Sequence, residues 1–280
     1  VPDISNQTFE TSHFWNKLHF MLIVYYHYLI NDNSTTTAID YKDFPIKGYE
    51  FHEFSKDEVE GLKADWIIVK DLCTNVVSRH PGVHDNAWQL EVKNDYILVH
   101  GVLRSLLSYI DLAPKYPPRF RLKKPVVSTM ISKHFGEDLE QLPGKYIVIS
   151  DLDRECKKLE SQYSGKTIKQ IFDSLGIAET DFNNKESKSI AEQLIIKMFG
   201  GKSSSLSQIE LFSKFGIIAK SITMTPSGSR TEDMKLFHID FQELIRKDVT
   251  EEDENGQIIT RAITFEDSDI YSYFADHEIL

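Results

Sequence analysis

The sequence predicts an α/β or α+β fold in which helices flank a mixed sheet. Segments with helical spacing of apolar residues alternate along the chain with short β-branched and aromatic runs. The 280 residues are 41% hydrophobic and 27% charged, which suits one large or two small globular domains. Residues 1–136 hold 15 basic and 16 acidic side chains, whereas 137–280 hold 17 and 27. This asymmetry predicts two domains, 1–136 and 151–280, with a linker at 137–150.

The first half reads as helices and strands in turn. Thr11 or Ser12 caps a helix that leads into the β-rich run FMLIVYY, and a polar loop follows at 31–38. A capping box at Ser55 begins a long helix that ends before Pro81. The other predicted elements are a strand at Asn86–Val99, a short helix or strand at Val102–Ile110 and a helix at Val127–Phe135.

The second half continues the alternation. Helices are predicted at Lys157–Tyr163, Thr167–Leu175 and Lys188–Phe199, and strands at Phe212–Met224 and Lys235–Phe241. One internal repeat aligns Thr8–Val24 with Thr264–Leu280, because both begin with TFExS and continue with an aromatic helix and an apolar strand. If the repeat is structural, the two segments occupy equivalent places in two similar domains.

Composition and missing motifs exclude several classes of protein. Two cysteines cannot build a disulfide framework, which indicates a reducing, cytoplasmic setting, and no apolar run is long enough for a membrane span. Phosphate-binding, α/β-hydrolase, HExxH and CxxC signatures are absent. His80 and His84 form an HxxxH pair, but Pro81 lies between them, so a turn with two surface histidines is the better interpretation. The chain begins at Val1 without a signal-peptide pattern, and we expect a fragment of a longer protein.

A basic segment is the strongest candidate for binding an anionic partner. Its six cations, with no acid among them, are Lys115, Arg119, Arg121, Lys123, Lys124 and Lys133. The alternative is an ordinary solvated surface.

Three ordered stretches resemble the MutH family of GATC-specific endonucleases. PPRFRLKKPVVSTMISKHF at Pro117–Phe135 is similar to the family's groove-entering basic loop and the helix after it. ETSHFWNKLHFMLIV at Glu10–Val24 resembles its ETSH helix–strand, and ADWIIVKDL at Ala64–Leu72 its ADW-initiated helix. The resemblance implies the restriction-endonuclease fold and magnesium-dependent cleavage of DNA. Some relatives are restriction enzymes with two such domains in tandem, of which this chain would contain the first only in part.

The resemblance extends to a degenerate active site in the second half. Lys188–Gly201 is similar to the family's acidic helix and Ile209–Ile222 to its D…GxExK strand. The three metal-binding carboxylates of the family then align with Ile196, Leu211 and Ile218. The fourth active-site residue of the family, a lysine, is the one that is retained, as Lys220. Aliphatic side chains cannot hold magnesium, so no metal site is expected here, and Glu210 could restore one acid at most. The alternative is that these are ordinary strand residues.

The resemblance also implies roles for individual residues. Lys17 matches the family's active-site lysine, which would stabilise charge at the scissile phosphate; the alternative is a solvated helix lysine. Arg119 or Arg121 would donate to guanine. Phosphate contacts and further basic surface would come from Lys123, Lys124 and Lys133.

Taken together, the sequence predicts the C-terminal fragment of a two-domain type II restriction endonuclease. The intact enzyme would use Mg²⁺ to cleave GATC in double-stranded DNA. The fragment would bind DNA as a monomer or DNA-induced dimer, play an allosteric role and associate with its N-terminal segment, while lacking a complete catalytic site. The alternatives are a non-catalytic protein-interaction module, which the acidic second half favours, and a mismatch-repair nicking endonuclease.

Overall fold

The structure, a computed structural model, describes residues 4–27, 29, 39–79, 102–112, 119–178, 187–220, 222, 224–229, 248–252, 258–265, 268–276 and 278–279. Several predicted features lie outside the described residues: the loop at 31–38, the strands at Asn86–Val99 and Lys235–Phe241, the pair His80 and His84, and Lys115. The described chain mixes helices with small sheets, which confirms the α+β class. Its identity as a restriction-endonuclease fold stays a prediction.

Eight α-helices and eight strands can be assigned within these ranges. The helices are α1 (His13–Leu18), α2 (Lys56–Arg79), α3 (Lys124–His134), α4 (Ile149–Tyr163), α5 (Ile168–Leu175), α6 (Ser187–Met198), α7 (Glu210–Phe215) and α8 (Asp269–Asp276). The strands are β1 (Met21–Tyr26), β2 (Ile46–His52), β3 (Ile110–Leu112), β4 (Phe120–Leu122), β5 (Ile217–Ile218), β6 (Asp248–Glu252), β7 (Ile258–Ala262) and β8 (Glu278–Ile279). A further helical turn spans 102–106.

The strands form four two-stranded sheets. The pairs β1–β2, β3–β4 and β6–β7 are antiparallel, and β5–β8 is parallel. Within the described ranges no sheet combines both directions, so the predicted mixed sheet is not found there. None of the helices in these ranges combines the length and apolar character that a bilayer crossing requires.

The chain divides into two compact units. The larger unit comprises Val1–His19, Phe54–Thr223 and His277–Leu280, and the smaller Phe20–Glu53 and Met224–Asp276. The predicted linker at 137–150 lies inside the larger unit, and each unit draws on both halves of the sequence. The assignment of 1–136 and 151–280 to two MutH-like domains stays a prediction.

Helix α2 contributes several buried side chains to the larger unit. Ser55 begins it as predicted: Ser55 N donates to Glu58 Oε2 at 2.9 Å, and Glu58 N donates to Ser55 Oγ at 3.3 Å. Leu62, Trp66 and Val69 follow at helical spacing and are all buried, and each such side chain contributes about 1.5–3 kcal/mol through burial. The same helix therefore supplies both core and, through Trp66, part of the candidate site.

The basic segment is not the continuous loop that its sequence suggested. Residues 120–122 form β4, which pairs with β3 so that Arg121 lies opposite Asp111. Helix α3 then begins at Lys124, with Pro125 in its first turn, where proline needs no donor. Strand β4 is anchored because Phe120 and Leu122, on its other face from Arg121, are half-buried.

The predicted strand at Phe212–Met224 is wrong over its first part. Residues Glu210–Phe215 form helix α7, which buries Phe212 and Phe215 three residues apart. Gly216 ends it in the left-handed conformation with φ of 67°, and only Ile217–Ile218 continue as strand. The β-branched residues that suggested a long strand all follow this glycine. The two phenylalanines before it were therefore wrongly assigned to a strand, although their spacing suits a helix.

The internal repeat is partly confirmed. Each copy is a helix followed by a strand, α1 with β1 and α8 with β8. Their settings differ, because β1 pairs antiparallel with β2 whereas β8 pairs parallel with β5. The expectation of equivalent settings is therefore wrong for these strands, and the tandem arrangement loses this support.

One face of the β1–β2 hairpin exposes large apolar side chains. We call this the hairpin face, and its members are Leu22, Val24, Tyr26, Ile46, Tyr49 and Phe51, each at least 46% exposed. Leu22 pairs with Phe51 and Val24 with Tyr49 across the hairpin. Soluble monomers rarely expose such continuous apolar surface.

We expect copies of the protein to associate through the hairpin face. Replacing Leu22 by Glu and Phe51 by Lys places opposite charges at a cross-strand pair, which keeps the hairpin but removes its apolar contact. Sedimentation over a range of concentrations should then show less association. The matched swap Lys42→Glu with Glu53→Lys, at exposed residues outside the face, should change nothing; equal association of both variants would contradict the expectation.

Candidate functional site

A cavity of about 270 Å³ opens between α1, α2 and β4 in the larger unit. Six apolar or aromatic side chains line it: Ile4, Phe14, Leu18, Trp66, Phe120 and Leu122. Four polar residues complete the lining: Gln7, His13, Lys17 and Arg121. Two residues predicted from separate segments, Lys17 and Arg121, thus share one site, and none of the described residues that line it is an acid.

Local structure explains why α1 presents these groups together. Ser12 caps the helix, since Trp15 N donates to Ser12 Oγ at 3.0 Å. His13 and Lys17, four positions apart, then lie on one face of the helix. Phe14 packs against Phe120 of β4 with ring centroids 4.9 Å apart, which joins the α1 side of the cavity to the basic strand.

Trp66 lines the cavity and also carries a buried donor. Its side chain is 3% exposed, and its ring packs edge-on against Phe9 at 6.1 Å. The indole Nε1 is buried and has no hydrogen-bond partner among the described residues. Leaving such a donor unpaired costs about 1–3 kcal/mol, and few buried polar groups in native proteins lack a partner. Sequence reasoning missed this group, because an indole in an amphipathic helix looks like ordinary core.

A buried carboxylate holds Arg121 in place. Asp111 Oδ2 accepts a short hydrogen bond from Arg121 Nη2, and Asp111 Oδ1 accepts one from Arg104 Nε at 2.6 Å. The Asp111 side chain is only 7% exposed, whereas that of Arg121 is 52% exposed. Asp111 thus pairs with two guanidinium groups, and the three side chains together have a net charge of +1. Asp111 is the one acid within 101–136, a signal from which its role could have been inferred.

A second buried carboxylate fixes the chain just before β3. Asp65 of α2 accepts hydrogen bonds from the backbone N–H groups of Ser108, Tyr109 and Ile110 at 2.6–3.0 Å. Burial raises the pKa of Asp65 to about 6, against the opposing effect of these backbone bonds and of Lys123. Asp65 belongs to the ADW motif, and through β3 it positions Asp111 and hence Arg121.

The other predicted DNA-binding residues occupy different settings. Arg119 is exposed and forms no ion pair within the part of the chain that the structure describes. Lys123 is half-buried, and its N–H donates to Tyr109 O at 2.8 Å immediately before α3. Lys124 is exposed on the first turn of that helix. Lys133, in the last turn, lies about 13 Å further along the axis and forms an ion pair with Glu210 at 3.2 Å, so it is not grouped with the others.

The residues aligned with a degenerate metal site do not fit a cation. Ile196 is fully buried in the core on α6. Leu211 lies on α7 and Ile218 on β5, both half-buried, so the aligned segment is not one strand. Lys220 is half-buried after β5. With aliphatic side chains at these three positions, the donor set offers no oxygen ligands for magnesium.

Glu210, the acid that a one-residue shift would bring to this site, belongs to an ion-pair network instead. Lys214 Nζ lies 2.9 Å from Glu58 Oε1 and 3.0 Å from Glu210 Oε1, and its side chain is 12% exposed. Burial would raise the pKa of Glu58, but the charge and hydrogen bond of Lys214 outweigh it and lower that pKa to about 2. Likewise, burial would lower the pKa of Lys214, but the two carboxylates raise it. The network joins α2 to α7 and, through Lys133, to α3.

Comparison with known proteins supplies no family for this chain. No protein-family model matches it, and no curated protein matches it significantly.

Proposed function

We propose that this chain binds double-stranded DNA as the C-terminal part of a MutH-like type II restriction endonuclease that recognises GATC. The observation that carries the proposal is the cavity shared by Lys17 and Arg121, two cations selected from separate stretches of sequence. The basic strand and helix that follow extend this cationic surface from Arg119 to Lys124. We call the set Lys17, Arg119, Arg121, Lys123 and Lys124 the basic face.

Local charge favours a polyanion at the basic face even though the chain has a net charge of −11. Residues 119–124 contain four basic side chains and no acid. The charge of Asp111 behind them is offset by Arg104 at 2.6 Å. Neutralising phosphates with clustered lysine and arginine releases counterions, which supplies most of the affinity for DNA.

The geometry of Arg121 suits a specific contact. Arginine has five N–H donors, and pairing with Asp111 orients its planar group while leaving other donors for a ligand. A guanidinium held in advance loses less conformational entropy on binding than a free one. It can donate to the O6 and N7 atoms of guanine in the major groove, while Lys123 and Lys124 contact phosphates.

Hydrolysis belongs, in this proposal, to the intact enzyme and its Mg²⁺ ion. The positions aligned with metal-binding carboxylates hold Ile196, Leu211 and Ile218, which cannot coordinate a cation, so no catalytic step is assigned to them. Lys17 would lie beside a phosphate and stabilise its charge. The chain alone is expected to bind DNA without cutting it.

A salt titration with two duplexes tests the proposal. Anisotropy of a labelled GATC duplex and of a permuted duplex is measured from low to physiological salt. Replacing Lys123 and Lys124 by Ala should weaken binding to both duplexes and lower the salt slope by about one to two units. Replacing Arg119 or Arg121 by Ala should reduce the preference for GATC by about 1–3 kcal/mol if that residue reads guanine.

Matched controls lie on α4. Lys157 and Lys158 are both exposed and, like Lys123 and Lys124, are adjacent in sequence, but they lie outside the basic face. Their replacement by Ala should leave affinity nearly unchanged. If the protein binds neither duplex, or if all four substitutions in the basic face are silent, DNA binding through this face is disproved.

A second candidate is a protein-interaction module. The hairpin face exposes six large apolar side chains, and residues 137–280 carry a net charge of −10. Failure of the salt titration, together with association that depends on Leu22 and Phe51, would favour this alternative.

A further inference from the structure

Helix α3 exposes apolar side chains directly after the basic strand. Lys124, Val127, Ser128 and Ile131 are all exposed, Val127 by 38% and Ile131 by 40%. Their spacing of three or four positions places them on one side of the helix. We call these four residues the helix face.

The opposite side of α3 holds the helix in the larger unit. Val126, Thr129 and Met130 are buried there. Thr129 Oγ1 also lies 3.0 Å from Ser213 Oγ of α7, within hydrogen-bond distance. Because these contacts anchor the helix, the helix face is available to a ligand.

Charge around the helix face identifies the ligand as a polyanion. Residues 119–124 supply four cations immediately before it, and no acid occurs from 112 to 136. Acids return at Glu137 and Asp138, beyond the C-terminal end of the helix, where both are exposed. DNA is therefore attracted to the N-terminal end of α3 and repelled from its C-terminal end. Val127 is the apolar residue of the helix face nearest to the attractive end.

An apolar side chain has one counterpart on the base edges of DNA. In the major groove these edges present hydrogen-bonding groups and a single apolar group, the C5 methyl of thymine. The groove admits an α-helix, and the N-terminal residues of such a helix contact the bases. In GATC each thymine pairs with the adenine next to a guanine. Its methyl group thus lies one base pair away from the guanine that Arg119 or Arg121 would read.

We infer that Val127 contacts the C5 methyl group of thymine in GATC and so helps to select the central A·T pairs. Lys124, one turn earlier on the helix face, contacts a neighbouring phosphate. The inference rests on the proposed function, to which it adds a residue that determines sequence specificity. Because the contact is apolar, its contribution does not depend on salt.

Duplexes with uracil in place of thymine remove this methyl group and leave the hydrogen-bonding groups unchanged. Anisotropy is measured for a GATC duplex, for the same duplex with GAUC on both strands, and for one with uracil only outside the site. Burying one methyl group contributes about 0.8 kcal/mol, which corresponds to roughly fourfold in affinity. We expect binding to GAUC to be weaker by about fourfold or more, with an unchanged salt slope. Uracil outside the site should have no effect.

Substitutions at position 127 assign the difference to one side chain. Val127→Ala removes two methyl groups and should bind GATC and GAUC equally. Val127→Thr keeps the shape and one methyl group, and should keep part of the difference. The matched control is Ile168→Ala, which shortens an exposed aliphatic residue of α5 outside the helix face and should keep all of it. The comparison of the two duplexes with the unaltered protein tests the inference even if a variant fails to fold.

The outcomes distinguish this inference from the proposed function. A protein that prefers GATC to the permuted duplex but binds GAUC equally well overturns the inference and leaves DNA binding intact. A difference that is undiminished in Val127→Ala overturns it too, because another residue then reads the methyl group. Failure to bind any duplex overturns both proposals. If Val127→Ala reduces self-association in sedimentation without changing DNA binding, the helix face contacts protein and the inference is wrong.

Discussion

Replacing Asp65 by alanine should lower the free energy of unfolding at pH 7 by at least about 3 kcal/mol. The carboxylate accepts from three backbone N–H groups, and each buried donor left without an acceptor costs about 1–3 kcal/mol. Chemical denaturation measured by circular dichroism checks the loss. The variant should also bind DNA less well, because Asp65 fixes the chain that leads to Asp111.

The pH dependence gives this prediction a second measurement. The pKa of Asp65 is raised from an ordinary 3.8 to about 6 in the folded protein, so the folded state binds the proton more tightly than the unfolded state. Its contribution therefore makes the protein less stable as pH rises from about 4 to about 6, and the variant should lack this slope. Asp71→Ala, an exposed acid on the same helix, should change stability by less than about 0.5 kcal/mol. Similar losses for both variants would refute the anchoring role.

Replacing Lys214 by methionine should cost about 3 kcal/mol or more. The substitution leaves Glu58 and Glu210 largely buried without their shared cation, and removing one partner of a buried pair is far more costly than losing the pair as a whole. The triple variant Lys214→Met, Glu58→Gln and Glu210→Gln should accordingly recover much of the loss. Thermal and urea unfolding measure both.

Acid should diminish the difference between the Lys214→Met variant and the original protein. The pKa of Glu58 is lowered from an ordinary 4.5 to about 2, so its stabilisation is present above about pH 4.5 and is lost as pH falls towards 2. The variant never has this contribution. Lys157→Met breaks the exposed pair with Asp153, whose atoms lie 2.6 Å apart, and should cost less than about 1 kcal/mol. The prediction would be contradicted if Lys214→Met lost no more stability than Lys157→Met. It would also be contradicted if the loss in Lys214→Met were the same at pH 3 as at pH 7.

Local signals predicted the elements that are governed by neighbouring residues. Ser12, Ser55 and Thr167 begin their helices as expected, and Gly176 ends α5 in the left-handed conformation. Capping depends on three or four adjacent residues, all visible in the sequence. The error at Phe212–Met224 arose because its apolar residues fit a helix as well as a strand. Gly216, in the left-handed conformation, ends the helix and separates it from the short strand that follows.

The candidate site could be predicted only in part. Lys17 and Arg121 carry charge and lie in segments that resemble a known family, so the sequence alone selected them as candidates. Their common cavity depends on Phe14 meeting Phe120, more than a hundred positions later, and no local pattern encodes that contact. The backbone groups that Asp65 binds lie 43–45 positions away, and Glu58 lies more than 150 positions before Lys214, so no local pattern shows these contacts. The partners of Asp111 are only 7 and 10 positions away, and this acid could have been inferred from the sequence.

The shared acid at Asp111 constrains how this surface can change during evolution or redesign. If Arg121 reads a base, as proposed, an altered target sequence calls for a new residue in its place, yet that change alone leaves half of a buried carboxylate without a donor. Changing Asp111 first would release Arg104 and Arg121 together. Positions 104, 111 and 121 are therefore interdependent, and a stable protein with a new specificity requires at least two coordinated substitutions. Libraries that vary position 121 alone should yield mostly unstable proteins and few with an altered target.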